Sequence, residues 1–237
     1  MHCRQPSKKM NNIMTDSIFF GAVISVVGYL IGIFLRKKIS VLNPLLVSII
    51  FVIAVIKIFH IDYETYNSGA KYISYLLTPA TVCLAIPLYR QISVLKEHAK
   101  EVFIGILAGV LASMGSILLM SYLFGLTHEQ YVTLLPKSIT TAIGMGVSEE
   151  LGGIQTITVA VIIITGVLGN IIAEAVLKIF RIKEPVAKGL AIGTASHAIG
   201  TTKALEIGEI EGAMSSLSVA VAGLMTVISA SIFANMM

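Results

Sequence analysis

The 237-residue chain is 56% hydrophobic and 13% charged, with a mean hydropathy of +0.89, which leaves too little polar surface to solvate a globule and excludes a soluble enzyme. Its net charge of +4 comes from basic residues in short clusters between apolar runs, a pattern of membrane topology and not of a nucleic-acid-binding face. Two cysteines, Cys3 and Cys83, make neither a disulfide framework nor a zinc site, and Cys83 within an apolar run reads as a small buried side chain.

In chain order, residues 1–17 read as a polar tail, in which Met10 and Met14 place the expected native start after Met1. A helix needs about 20 apolar residues to cross the hydrocarbon. Six stretches have that character: 18–35, 39–56, 72–89, 102–127, 151–173 and 212–237. The first is too long for a signal-peptide core and ends on Arg36-Lys37-Lys38, so it is a retained span. Two shorter stretches, 138–148 and 189–202, are rich in Gly, Ser and Thr and read as re-entrant or broken segments.

The expected fold is therefore an all-α polytopic membrane protein, with residues 18–237 as one transmembrane domain of six long spans plus two short segments. Eight full spans is the alternative. The distribution of Lys and Arg favours six plus two. With Arg36 inside, Arg90, Lys96, Lys100, Lys178, Arg181, Lys183 and Lys188 all fall on the cytoplasmic side, whereas eight full spans would move the 178–188 cluster outside. Similar openings at Leu42-Asn43-Pro44 and Leu134-Leu135-Pro136 point to an inverted repeat with halves 39–127 and 131–237.

Three polar clusters interrupt the apolar sequence. The densest is Gly193 to Lys203, where Gly193 and Gly200 flank Ser196, His197, Thr201 and Thr202. Hydroxyls, an imidazole and Lys203 supply hydrogen bonds and charge, which are expensive at membrane depth without a role. In the second, Pro136 opens a segment carrying Lys137, Ser138, Thr140 and Thr141. A lysine, hydroxyls and a helix terminus together suit a small carboxylate, and the bland reading is that Lys137 snorkels to the interface. The third holds Thr78 and Pro79, with Pro87 further along; two prolines free carbonyls that need partners or a water-lined cavity.

Glu174 has Lys178 at i+4 and is expected to pair with it. His197, the group here whose charge changes near neutral pH, is a candidate for coupling proton and solute uptake. Neither a hydrolase triad nor a Gly-Lys-Ser/Thr phosphate loop is present, so the chain is read as no enzyme, without cofactor or metal.

With these residues in view, the chain resembles the LrgB/CidB family of bacterial membrane proteins over nearly its whole length. The matching strings are 42–44 (LNP), 79–81 (PAT) with 85–89 (AIPLY), 134–141 (LLPKSITT) and 189–202 (GLAIGTASHAIGTT). Lys137 to Thr140 and 147–153 resemble the CidB branch. The resemblance implies a multi-pass protein of the bacterial cytoplasmic membrane that works with a small holin-type partner like LrgA or CidA. It also implies a link to murein hydrolase activity, autolysis and programmed cell death, and relatedness to the plastid glycolate/glycerate translocator. The expected function is a transporter or channel component for small monocarboxylates such as pyruvate or glycolate. A holin/antiholin-associated regulator without transport of its own is the alternative. Membrane lipid, a carboxylate solute and further copies of the chain are the other expected partners.

The topology is open to a direct check. In a background without native cysteines, a cysteine placed at Lys183 is expected to resist a membrane-impermeant thiol reagent in intact cells and to label after permeabilisation.

Overall fold

The computed structural model describes residues 19–39, 42–76, 79, 82–83 and 85–237, without the side chains of 85, 87 and 88. The chain divides into two compact units, 1–81 and 82–237, a division that does not coincide with the expected repeat halves. All regular structure among the described residues is helical.

In the first unit, α1 (Phe20–Lys38), α2 (Pro44–Ile58) and α3 (Tyr63–Ser74) pack together. Asn43 caps α2, its Oδ1 accepting from the amides of Leu45 at 2.8 Å and Leu46 at 3.3 Å, while Pro44 occupies the first turn, where its missing N–H costs nothing. On α1, Gly28 and Gly32 face Ser48 and the backbone of Pro44, and a side chain at Gly32 would strike that backbone. At 15 residues α2 is about 22 Å long, short of the hydrocarbon thickness.

The expected span 72–89 falls partly outside the described residues. Residues 72–74 end α3, 85–90 form α4 (Ala85–Arg90), and 77–78, 80–81 and 84 lie outside the described residues. Cys83 is exposed instead of buried. Among the described residues, four helices are long and apolar enough to cross a membrane. They are α1 and, in the second unit, α6 (Ala99–Phe124), α9 (Gln155–Ile179) and α11 (Glu209–Ala234). Exposed Ile104, Leu111, Leu119, Leu224 and Ile228 give α6 and α11 faces that only lipid solvates. A short α5 (Ile92–Glu97) precedes α6.

Between and after these crossings the chain doubles back twice. The first hairpin is α7 (His128–Leu134), a break over 135–140, and α8 (Thr141–Glu150). Its two ends meet, since Thr158 Oγ1 lies 2.9 Å from the Thr133 carbonyl and 2.7 Å from Ser148 Oγ, and the Ile154 amide donates to Thr133 Oγ1 at 2.8 Å. Gly152, at φ 81°, closes the turn after α8 as a helix C-terminus requires.

The second hairpin is α10 (Pro185–Ile207), two half-helices joined at His197, whose φ of 43° and ψ of −146° reverse the chain. Across it, a Cβ on Gly200 would lie 3.1 Å from the Ile192 carbonyl, a proximity that no straight helix gives residues eight apart. Both ends return to the start of α11: Lys188 pairs with Glu211 at 3.6 Å, and Leu205 packs on Gly212.

The hairpins enter from opposite ends. α11, with 26 residues, runs about 39 Å. The second hairpin is based at its N-terminal end, whereas the first is based at its C-terminal end, where the Tyr131 hydroxyl donates to the Phe233 carbonyl at 2.8 Å. Their tips lie against the middles of the crossing helices: Ile143 approaches Gly223 of α11, and His197 meets Ile162 of α9. Both short stretches thus fold back in the structure; α10, at 23 residues, has the length to cross if straight, and the reversal at His197 is what turns it.

A cysteine at Glu209 is accordingly expected to label from the same side as one at Lys183, and cysteines at Thr127 and Gly152 from the other. A straight α10 would put 183 and 209 on opposite sides.

Candidate functional site

The tip of the first hairpin places Lys137 and Ser138 against Ser113, 14 residues into α6. Pro136, fully buried, starts the break by withholding an amide. The Lys137 ammonium donates to Ser138 Oγ at 2.9 Å and Ser113 Oγ at 3.3 Å, and the two hydroxyls are 3.0 Å apart. Among the described residues no carboxylate pairs with Lys137. A cation at this depth without a counter-ion is costly unless an anion visits it.

The donors count in favour of such a visitor. An ammonium has three N–H groups and the two serines one O–H each. Two N–H groups and one O–H are used within the trio, so one N–H and one O–H remain. Two adjacent donors match the two oxygens of a carboxylate.

The trio lies in a cavity of about 820 Å³ that also takes in Thr194 and Ala195 from the first half of α10. Its walls are small or apolar, with Leu190 and Gly105 among them, and His98, Glu101 and Glu184 stand at the end near the start of α6. Gly109 permits this geometry: a Cβ there would sit 2.7 Å from the Thr194 methyl. Thr194 Oγ1 is buried without a hydrogen-bond partner.

The remaining residues of the densest cluster serve the hairpin itself. His197, 3% exposed, donates from Nε2 to the Ile162 carbonyl at 2.9 Å, and since a carbonyl only accepts, Nε2 carries the proton. Ser196 packs onto Gly169, Gly193 onto Ser215 and Ser218, and Gly200 onto Ser196. Thr201 Oγ1 donates to the His197 carbonyl at 3.1 Å and lies 2.9 Å from Ser215 Oγ. Thr202 is exposed and donates to the Ile199 carbonyl at 2.7 Å, and Asn170 donates to both of those groups. Lys203 is held by Glu174 and Glu206, so Glu174 pairs across helices instead of with Lys178. None of these residues lines the cavity.

Thr140 stands at the N-cap of α8 with no side-chain cap bond, Thr141 follows half-buried, and neither lines the cavity. Of the third cluster, Thr78 lies outside the described residues, Pro79 is exposed, and Pro87 belongs to α4. The structure thus brings Lys137 and Ser138 together with the 193–203 segment only through Thr194 and Ala195. Sequence reasoning passed over Ser113. The available signal was Gly105, Gly109, Ala112, Ser113 and Ser116, small residues at helical spacing in an otherwise bulky span.

A family model described as the LrgB-like family matches residues 25–236. The chain is 38% identical over 217 residues to the antiholin-like proteins LrgB of Bacillus mycoides (strain KBAB4), Bacillus cereus (strain B4264) and Bacillus anthracis (strain CDC 684 / NRRL 3495). Each match covers 90% of this chain and 94% of the relative. No solved structure matches the chain.

The contact between Gly109 and Thr194 can be isolated in a double-mutant cycle. Gly109→Ala is expected to cost about 1–3 kcal/mol through overpacking. Thr194→Ser, which removes the opposing methyl, is expected to recover most of that loss in the double variant. Thermal unfolding in detergent reads both; additive effects would place the methyl elsewhere.

Proposed function

This chain belongs to the LrgB-like family, and on that premise we propose that its second unit conducts small monocarboxylates, with Lys137 as the group that holds the anion. One observation carries the reading: a lysine near mid-depth, bonded only to hydroxyls, with two donors to spare in a cavity of about 820 Å³. A single unpaired cation suits a single negative charge. Small and apolar walls suit a short organic tail such as that of pyruvate, lactate or glycolate, and exposed Glu101 and Glu184 at the mouth disfavour more highly charged anions.

Within this reading Ser113 and Ser138 orient the ammonium and supply the second donor, and Thr194 brings a further hydroxyl to the wall. His197 is a positioning residue whose proton is spent on the Ile162 carbonyl. The protein is a component of the bacterial cytoplasmic membrane and acts with a small LrgA/CidA-like partner. Effects on murein hydrolase activity and lysis follow from altered carboxylate and proton traffic. The relatives' name, antiholin-like, favours a second reading, a regulator of autolysis acting through that holin-type partner without transport of its own.

Purified protein in liposomes, alone and with its partner, separates the two. Uptake of labelled pyruvate, lactate, acetate or glycolate is expected, and transport by neither preparation would leave the regulatory reading. Lys137→Met keeps the length and removes the charge, and is expected to weaken solute binding by about 1–3 kcal/mol, roughly tenfold or more, while insertion is retained. His197→Gln, whose amide still reaches the carbonyl, is expected to keep a pH profile of uptake parallel to wild type. A flattened profile would restore a proton-coupling role to the histidine.

A further inference from the structure

A second cavity, of about 480 Å³, lies at the opposite end of α9 from the Thr133–Thr158 junction, between the end of that helix and both ends of the second hairpin. Four cations line it: Lys178, Arg181, Lys183 and Lys188. The only carboxylate in its wall, Glu174, is already taken by Lys203, and Lys188 is offset by Glu211. Lys178, Arg181 and Lys183 have no ion-pair partner among the described residues. Three uncompensated cations around one concavity repel one another unless an anion sits among them.

The backbone adds a separate observation. α9 ends in a turn whose Ile182 amide donates to the Leu177 carbonyl at 2.9 Å and whose Arg181 amide donates to the Lys178 carbonyl at 3.2 Å. This turn needs a left-handed residue between the helix and Ile182, a place where glycine is the unstrained choice. Arg181 occupies it at φ 55°. From this position its guanidinium, the side chain best shaped for phosphate, lines the cavity wall.

The third observation concerns what lies around the cavity. Ile179 and Phe180, immediately before Arg181, are 74% and 72% exposed at the end of a membrane-crossing helix. Leu177, Ile182 and Ile207 complete the wall with apolar surface. A basic concavity with an apolar rim, at the depth where a crossing helix ends, is built for a molecule that is phosphate at one end and hydrocarbon at the other.

We propose that this cavity binds the phosphate of an anionic phospholipid headgroup, with Arg181, Lys178 and Lys183 on the phosphate and Ile179 and Phe180 against the acyl chains. The shared chemistry is a phosphate ester, and a soluble phosphate is the competing source. The site is independent of Lys137 and of any transport reading. Held there, the lipid ties the end of α9 to the base of the second hairpin.

The test uses the full chain in nanodiscs of phosphatidylcholine with a minor share of phosphatidylglycerol, followed by delipidation and native mass spectrometry. Wild-type protein is expected to retain phosphatidylglycerol in preference to phosphatidylcholine. The triple variant Lys178→Gln/Arg181→Gln/Lys183→Gln is expected to lose that preference, by about fivefold per cation removed. A control carrying Lys57→Gln, Lys96→Gln and Lys100→Gln has the same net charge and is expected to keep it. Arg181→Gly guards against misfolding, because glycine relaxes the left-handed turn; it should hold or raise the unfolding temperature while retention falls. In parallel, inorganic phosphate and glycerol 3-phosphate are titrated against detergent-purified protein and followed by thermal shift. Equal lipid retention by wild type and triple variant, or equal loss in both triple variants, overturns the proposal. So does phosphate-dependent stabilisation without lipid retention, which assigns the cavity to a soluble ligand.

Discussion

A backbone that stops short in the hydrocarbon must find its hydrogen bonds inside the protein, and the second unit is organised by that demand. Each hairpin breaks its helix near mid-depth, and each break is satisfied by a neighbouring crossing helix. For the second hairpin, Asn170 of α9 donates to the Ile199 carbonyl at 3.0 Å, and the His197 imidazole anchors the turn by donating to the Ile162 carbonyl of the same helix. Gly166 stands one turn further along the same face, where a Cβ would fall 2.7 Å from the imidazole. The histidine, the carbonyl and the missing side chain make one fitting, and the left-handed backbone at His197 persists because that fitting holds it. Thr158, four residues before Ile162, does the same at the base of the first hairpin. One helix thereby fixes both re-entrant elements.

The chain contains two lysines in polar clusters of its second half, and it treats them differently. Lys203 is neutralised by Glu174 and Glu206, so its charge serves cohesion between α9 and α10. Among the described residues Lys137 meets only hydroxyls. Hydroxyls screen an ammonium without cancelling it, so the positive potential persists in the cavity. A buried lysine intended only for packing would gain more from a carboxylate partner. This contrast separates structure from function more sharply than the presence of polar residues in either cluster.

The hairpins were legible because their charge-free stretches are short, and because Pro136 and the glycines of 189–200 mark where a helix gives way. Lys137 was legible because a fixed charge in an apolar setting is conspicuous. What stayed hidden depends on contacts distant in sequence. Ser113 lies 24 residues from Lys137 on a helix that otherwise reads as plain span. Glu174 reaches Lys203 across helices although Lys178 offers the local i+4 partner. His197 stood out by its type, whereas its bond to a carbonyl 35 residues away was not readable from the sequence. The expected start of a span at Tyr72 is a different case: its hydropathy is continuous onward, but α3 ends at Ser74, and hydropathy carries no signal for that stop.

The cavity also has a direction. Its polar mouth lies with Glu101 and Glu184 near the start of α6, and Lys137 with Ser113 and Ser116 lies deeper. Beyond that level the packing is dense: Met114 and Ile117 of α6 meet Tyr131, Val132 and Leu135 of the first hairpin in one buried cluster. Tyr131 is fully buried, and its hydroxyl is spent on Phe233 at the far end of α11. On the proposed reading, a solute at Lys137 faces this layer, and passage to the other side requires it to part. The second hairpin cannot supply that opening. Its glycines seat it directly on the backbone of α11, where any side chain at Gly189 or Gly193 would collide. The first hairpin touches α11 at its base and, near the tip, through Ile143 on Gly223. It carries both the lysine and half of the closing layer, so on the proposed reading a tilt of that single element would carry the proposed anion-holding group and open the path in one movement.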